Sequence, residues 1–319
     1  MALCEDLEQQ ETNHLKSHQL LVETLLGTLT KAADAKEFQT AWSRLAQHFD
    51  DLFTTEDSID QLKQTILELA VMGKLVPQDP KDEPASVLLK KIADEKERLI
   101  ENGEIKKQKL MTEIKNNEKS FMLPLGWSWC RLGDAGRFSG GGTPSMARDD
   151  YWGGKIPWIS PKDMGADFVS DSEMRITAKG VNESTANLIQ KGSLLIVARS
   201  GILKRRLPVA INTVECTVNQ DIKVLTPYLS AMNRFLFLIF SGLEQNILTN
   251  YVKIGTTVHS LKYEEFERMP IPIPPAAEQN RIIQKVAELM TLCDRLKEGI
   301  VESQKVVNLM ADSVLEQVG

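Results

Sequence analysis

Toward the end of the chain, apolar residues recur at alternating spacings of three and four: Ile282, Val286, Leu289, Cys293, Leu296, Ile300, Ser303, Val307, Met310 and Val314. The alternation puts them on one narrow seam of a helix, as the a and d positions of a heptad, and so predicts a helix that needs a partner helix. The chain opens on the same pattern. "MALCEDL" at 1–7 is a near copy of "MTLCDRL" at 290–296; with Met1 on Met290, the register holds without a gap for 26 residues, setting Cys4 on Cys293, Leu7 on Leu296, Lys16 on Lys305, Leu20 on Leu309 and Leu26 on Leu315. We read this as an internal repeat. The matching N-terminal seam is then Cys4, Leu7, Glu11, His14, His18, Leu21 and Leu25. Its middle is polar. Glu11, His14 and His18 are metal-ligand types at helical spacing, but no fourth ligand is near in sequence, and polar seam residues that fix register are the preferred reading.

Between these arms the period changes more than once. "SIDQLKQTILELAVMG" predicts a helix from Ser58 to Gly73, with an apolar stripe at Ile59, Leu62, Ile66, Leu67 and Ala70 and a glycine stop. The prolines of "KLVPQDPKDEP" break it, and a charged helix is expected from Ala85 through "ASVLLKKIADEKERLIENGEIKKQKLMTEI". Near Phe121 the helical period gives way to Gly, Pro, Trp and short β-branched runs. "GSLLIVAR", "LPVAI" and "CTVNQDIKVL" are strand-like, "AMNRFLFLIFSGLEQNIL" reads as a buried helix, and "RMPIPIPPAAEQN" as a proline-stiffened strap to the last helix. The expected fold is α+β: helical residues 1–120, a mixed α/β domain at 121–272, and a C-terminal coiled-coil helix at 273–319, with the long helices forming an antiparallel coiled coil.

Composition adds little except through its distribution. At 319 residues, 42% hydrophobic and 26% charged, the chain is expected to be globular, with no membrane-spanning stretch, no basic and apolar leader and a cytoplasmic location. The net charge of −6 is uneven: residues 123–270 hold 17 Lys and Arg against 14 Asp and Glu, so any nucleic-acid contact is expected in the middle of the chain. The cysteines, Cys4, Cys130, Cys216 and Cys293, are too scattered for a zinc or disulfide framework. They are expected to be reduced, buried and unreactive.

Catalytic motifs are missing. There is no GxxxxGK[ST] phosphate loop, no GxGxxG turn after a strand, no HExxH, and no Asn or Asp followed by Pro-Pro and an aromatic. The expectation is a chain that is not an enzyme and holds no cofactor or metal. "SGGGTPS" at 139–145 lacks the phosphate-loop lysine and is read as a flexible turn. Two stretches suit DNA. In "LLIVARSGILKRRLPVAI", strand residues give way to Arg199 and Ser200 and then to Lys204, Arg205 and Arg206, cations able to reach phosphates or guanine edges. In "GKIPWISPKDM", Lys155, Ser160 and Lys162 are the candidates, while Trp158 is assigned to core packing.

The chain resembles the DNA-specificity subunits of type I restriction-modification enzymes. The resemblance rests on "LKQTILELAVMGKLVPQDPKDEPASVLLKKI", "LPLGWSWCRLGD", "GGTPS" followed by "YWGGKIPWISPKDM", and "PIPIPPAAEQNRIIQKVAELM", which cover nearly the whole chain in the family's order. It implies a target-recognition domain on long helices that act as spacer and as dock for modification (methyltransferase) subunits, positioning them and the restriction/motor subunits on a bipartite double-stranded DNA target. It also implies that S-adenosylmethionine, ATP and magnesium belong to those partners. Family members have two recognition domains, so the chain looks like a half subunit. Its seam residues (Cys4, Leu7, Leu21 and Leu25; Val286, Leu289, Cys293, Leu296, Ile300, Val307 and Met310) would then pair two copies in a homodimer, or pair the two ends of one chain. The competing reading is a helical interaction protein that acts as a decoy or assembly regulator without reading DNA.

Overall fold

The structure, a computed structural model, describes residues 2–32, 35–107 and 111–318. Its helices are α1 (Ala2–Lys31), α2 (Ala35–Gln47), α3 (Phe49–Leu52), α4 (Glu56–Val71), α5 (Ala85–Glu101), α6 (Leu132–Ala135), α7 (Ala178–Asn182), α8 (Asn233–Gly242), α9 (Glu244–Asn250), α10 (Tyr263–Glu267) and α11 (Ala276–Val318). The strands in the first half of the mixed region are β1 (Ser128–Arg131), β2 (Gly136–Gly140), β3 (Trp152–Ile159), β4 (Phe168–Val169), β5 (Met174–Ile176) and β6 (Leu194–Val197). Those in the second half are β7 (Arg199–Ser200), β8 (Val209–Asn212), β9 (Thr217–Val218), β10 (Ile222–Pro227), β11 (Val252–Lys253), β12 (His259–Leu261) and β13 (Pro270–Ile273). The chain divides into two compact units, one of residues 1–70, 74–76 and 284–319, the other of 71–73 and 77–283.

In the first unit the amphipathic stripes decide the packing. On α4, Ile59, Leu62, Ile66, Leu69 and Ala70 are buried. The helix starts earlier than Ser58: the Thr55 hydroxyl accepts from Ser58 N at 3.1 Å and Ser58 Oγ accepts from Thr55 N at 3.2 Å, a reciprocal cap that satisfies two orphan donors. It ends as the sequence predicts, with Gly73 at φ +70° and Lys74 N donating to Leu69 O at 2.9 Å. Lys74 Nζ then donates to Thr30 O in the last turn of α1 and to Ala32 O just beyond it, both at 2.7 Å. Lys63 pairs with Asp294 at 2.5 Å, and Lys297 with Asp60 at 2.7 Å and Glu56 at 3.4 Å. As α11 advances from 294 to 297, its partner on α4 retreats from 63 to 60 and 56, so the two helices run antiparallel.

The predicted seam residues lie at different depths along the helices. Val286 and Cys293 are buried, Leu289 and Ile300 are half-buried, and Leu296 and Met310 are exposed. On α1 the buried stripe is Val22, Leu26 and Leu29, with Leu21 exposed and Leu25 half-buried. The inward face therefore lies one residue beyond the predicted Leu21 and Leu25, because α2, unanticipated from the sequence, packs against α1 and selects that face. The side chains of Cys4, Leu7, Glu11 and Val307 lie outside the described residues. His18 Nε2 bonds Asp51 O at 3.2 Å, and among the described residues no cluster of His, Cys, Asp and Glu is arranged for a metal ion.

The second unit is the mixed α/β body. A five-stranded sheet has the order β2-β10-β6-β8-β4, antiparallel except for the β8–β4 edge. The central strand β6 reads Leu-Leu-Ile-Val with all four residues buried, as a strand covered on both faces must. One side packs with Ile159, Val169, Ala210, Val218 and Val224. α8, apolar nearly all round, is buried through Phe235, Leu236, Ile239 and Phe240 and packs against β8. The expected single buried helix is two, broken at Leu243.

Two further differences from the sequence reading have local causes. The charged helix expected to run past Gly103 stops at Glu101, where Gly103 takes φ +72°, Gly103 N donates to Ile100 O and Glu104 N to Leu99 O. That pair of hydrogen bonds is the glycine-dependent C-cap, and it outweighs the run of Lys and Glu beyond it. The proline strap is a strand: β13 pairs antiparallel with β1 in the register Ser128↔Ile273 to Arg131↔Pro270. With β1 as its one partner, β13 can turn Pro270 and Pro272, which lack an N–H, away from the ladder.

Candidate nucleic-acid interface

The two stretches that suit DNA sit in different sheets of the second unit. Lys155 is exposed on β3, in the sheet ordered β5-β3-β9. Ser160 follows β3 and caps the 3₁₀ turn Pro161–Asp163: its N and Oγ both donate to Asp163 Oδ2 at 2.8 Å. Its hydroxyl is thus already engaged within the chain. Lys162 is exposed on that turn. Arg199 and Ser200 form β7, at the edge of the sheet ordered β11-β12-β7. Ser200 Oγ accepts from Ile202 N at 3.3 Å and starts the 3₁₀ turn Gly201–Lys204.

Lys204 closes that turn and Arg205 and Arg206 follow it, all exposed. Their loop is fixed at both ends, by buried Leu203 and Leu207, and by Arg205 N and Arg206 N donating to Ile202 O at 2.9 and 3.1 Å. Among the described residues none of the three makes a salt bridge; the carboxylate interacting with Arg206 is that of Glu244, which burial raises and which accepts from Leu207 N at 2.7 Å. Cations on a rigid loop, not already neutralised, are what a phosphate contact requires.

A turn at 219–221 connects the two stretches. Asn219 N donates to Ile159 O at 2.9 Å, while Ala198 N and Arg199 N donate to Asp221 O at 2.7 and 3.2 Å. Ser160 and Arg199 therefore flank the same turn. Against it lies the glycine segment: Gly142 N donates to Val218 O at 3.0 Å, Trp158 Nε1 donates to Gly142 O at 3.0 Å, and Thr143 Oγ1 donates to Gln220 Oε1. Gly141 and Gly142 are thus required by close packing rather than by flexibility, since a Cβ on Gly141 would collide with the Val218 carbonyl and one on Gly142 with Thr185. The sequence reading missed this contact. The signal was a glycine run bounded by Ser and Thr, which marks a close backbone approach as readily as a loose loop.

Other charges in this unit are committed to structure. Arg131, on β1, is 5% exposed; it bonds Glu118 at 2.7 Å and donates to the carbonyls of Arg268, Thr112 and Glu113 at 2.7–3.0 Å. The Arg131 hydrogen bonds, with a backbone bond from Lys115, hold the Glu118 carboxyl down at about 2. Asp150 is depressed by Arg148 and Lys179, and Arg148 lies over the Tyr151 ring. Burial pushes the Cys130 thiol up to about 12 and Cys216 to about 11, so neither is a nucleophile at neutral pH. Trp158, 8% exposed and edge-on to Trp152, is a core residue as expected.

These features define an α+β body with exposed cations on its strands and turns. Residues 124–303 match the family described as the type I restriction modification DNA specificity domain, and the chain belongs to that family. It is 37% identical, over 99% of its length, to the EcoAI type I restriction enzyme specificity subunit of Escherichia coli, and 34% identical, again over 99%, to the EcoEI specificity subunit of the same organism. In each case the match covers 54% of the relative, so the chain spans about half the length of these curated relatives. A solved structure concerned with complex assembly and conformational transition of the type I R-M system matches at a TM-score of 0.51 and 18% identity, covering 73% of this chain and 54% of that one; the likeness is one of fold. Among the described residues no helix is long and apolar enough to cross a membrane.

Proposed function

We propose that this chain is the sequence-reading component of a type I restriction-modification assembly, acting in the cytoplasm and not itself catalytic. The observation that carries the proposal is the 37% identity to a type I specificity subunit along 99% of the chain. Residues 121–272 read double-stranded DNA, and the Lys204–Arg206 loop, with Arg199, Lys155 and Lys162, holds phosphates. The long helices dock modification subunits that carry S-adenosylmethionine and position motor subunits that use ATP and magnesium. The match of residues 124–303 to the specificity-domain family supports a reader over a decoy.

We further propose that two copies associate through α1 and α11, presenting two reading domains to a bipartite target with identical half-sites. The support is apolar surface left uncovered on these helices: Leu20 is 64% exposed, Leu309 68% and Met310 65%. A randomised duplex pool incubated with this chain and its modification subunits is expected to yield one enriched bipartite motif. No enrichment would overturn the reading and leave the decoy. Arg205→Ala with Arg206→Ala is expected to lower affinity for all duplexes and reduce the salt slope by about 2. An unchanged slope would remove that loop from the interface.

A further inference from the structure

Beside the cation loop lies a turn that no motif marked. β12 is the middle strand of its sheet, and its Ser260 pairs with Lys253 on one side and with Arg199 on the other. Directly paired residues in antiparallel strands point to the same face, so Lys253, Ser260 and Arg199 form one transverse row. Its two cations are exposed and sit about 10 Å apart, two strand spacings. On the opposite face His259, paired with Ser200, is 8% exposed, which marks that face as the inward one. The 3₁₀ turn Gly201–Lys204 packs on β12 and brings the Lys204–Arg206 run to the same edge.

The β11–β12 connection, residues 254–258, projects from this row. Ile254 is 80% exposed and Val258 38%, and Thr256 and Thr257 are exposed. Gly255 makes the turn tight: a Cβ there would meet the Val258 carbonyl. A strongly exposed isoleucine next in sequence to Lys253 and one strand removed from Arg199 is poorly placed for a hydrophobic protein surface, which would leave the neighbouring cations uncompensated, and Ile254 and Val258 offer too small an apolar face to anchor on an acidic lipid surface. The partner must supply both anions and a small apolar group. A DNA duplex satisfies both. Its phosphates take Lys253, Arg199 and the 204–206 run, and its major groove offers one apolar group, the C5 methyl of thymine.

Building on the DNA-reading function, we propose that the turn at 254–258 is a base-contacting element in which Ile254 meets a thymine methyl group. The surrounding cations set position; Ile254 adds discrimination. The test uses the full chain with its modification subunits and the duplex enriched from a randomised pool. Each thymine in that duplex is replaced in turn by deoxyuridine, which removes only the methyl group. The wild type is expected to lose about fourfold in affinity at one thymine, the factor one buried methyl supplies, while Ile254→Ser binds the thymine and deoxyuridine duplexes alike, with unchanged salt slope and unchanged thermal midpoint.

Indifference of the wild type to every replacement would overturn the inference. So would an Ile254→Ser complex as discriminating as the wild type, or one that loses only its association with the modification subunits. Failure of the wild type to enrich any duplex would instead overturn the DNA-reading function on which the inference rests. The two failures are therefore distinguishable.

Discussion

Within the sheet-bearing unit, Leu194, Leu195, Ile196 and Val197 have no exposure, whereas on α1 and α11 Leu20, Leu309 and Met310 keep more than half of theirs. Both regions are rich in aliphatic residues, and the contrast comes from geometry. A central strand is covered from two faces and both edges by elements close to it in sequence. A narrow stripe on a helix of 30 or 43 residues is covered only as far as a partner helix reaches. Where α4 and α2 supply partners, Val286, Cys293, Val22 and Leu26 are buried; Leu20 and Leu309 lie elsewhere on the same helices. The central strand thus has its apolar surface covered within its own unit, while the long helices retain surface suited to association.

The largest expected effect tests the first half of that contrast. Ile196→Ala, which leaves a cavity in β6, is expected to cost about 2–5 kcal/mol in denaturant unfolding, against about 0.5 kcal/mol or less for Leu309→Ala. Equal losses would break the comparison. Arg131→Met is expected to cost about 1–3 kcal/mol by leaving buried carbonyls without a donor, and a neutral result would mean that the 111–118 segment is held by other contacts. Leu309→Glu with Met310→Glu is expected to weaken self-association about tenfold or more, since burying one leucine is worth roughly 1.5–3 kcal/mol. Sedimentation velocity should show this at an unchanged unfolding midpoint; sedimentation that does not change would place the pairing surface elsewhere.

The smallest effect is one of pH. Because the Glu118 carboxyl is lowered from 4.5 to about 2 in the folded chain, its contribution is present above 4.5 and is lost as the pH falls toward 2. The midpoint difference between wild type and Glu118→Gln should be constant near neutrality, shrink below 4.5 and close near 2. A difference that persisted there would sever the link to Arg131.

Periodicity made the long elements legible: α11, the glycine stop of α4, and the strands β6, β8 and β10 all follow from spacing and β-branched content. What escaped was decided by tertiary neighbours. The buried face of α1 depends on α2. The end of α5 was readable in principle, because Asn102-Gly103 is a turn dipeptide, but the continuing Lys and Glu pattern obscured it. Of the candidate contacts, Lys155, Lys162, Lys204, Arg205 and Arg206 are exposed, while the capping role of Ser160 and the projecting Ile254 appear only once strands are paired. A strand three residues long, such as β12, has no sequence signature of its own.

The β1–β13 ladder has one more implication. Residues 128–131 and 270–273 are hydrogen-bonded neighbours although some 140 positions separate them along the chain. Everything that carries Arg199, Lys204 and Ile254 lies between these two rungs, so the chain leaves the sheet-bearing body beside the point where it arrives. A replacement body joined at the same two strands would be held as a cassette, free to differ in its loops while the ladder that seats it stays the same.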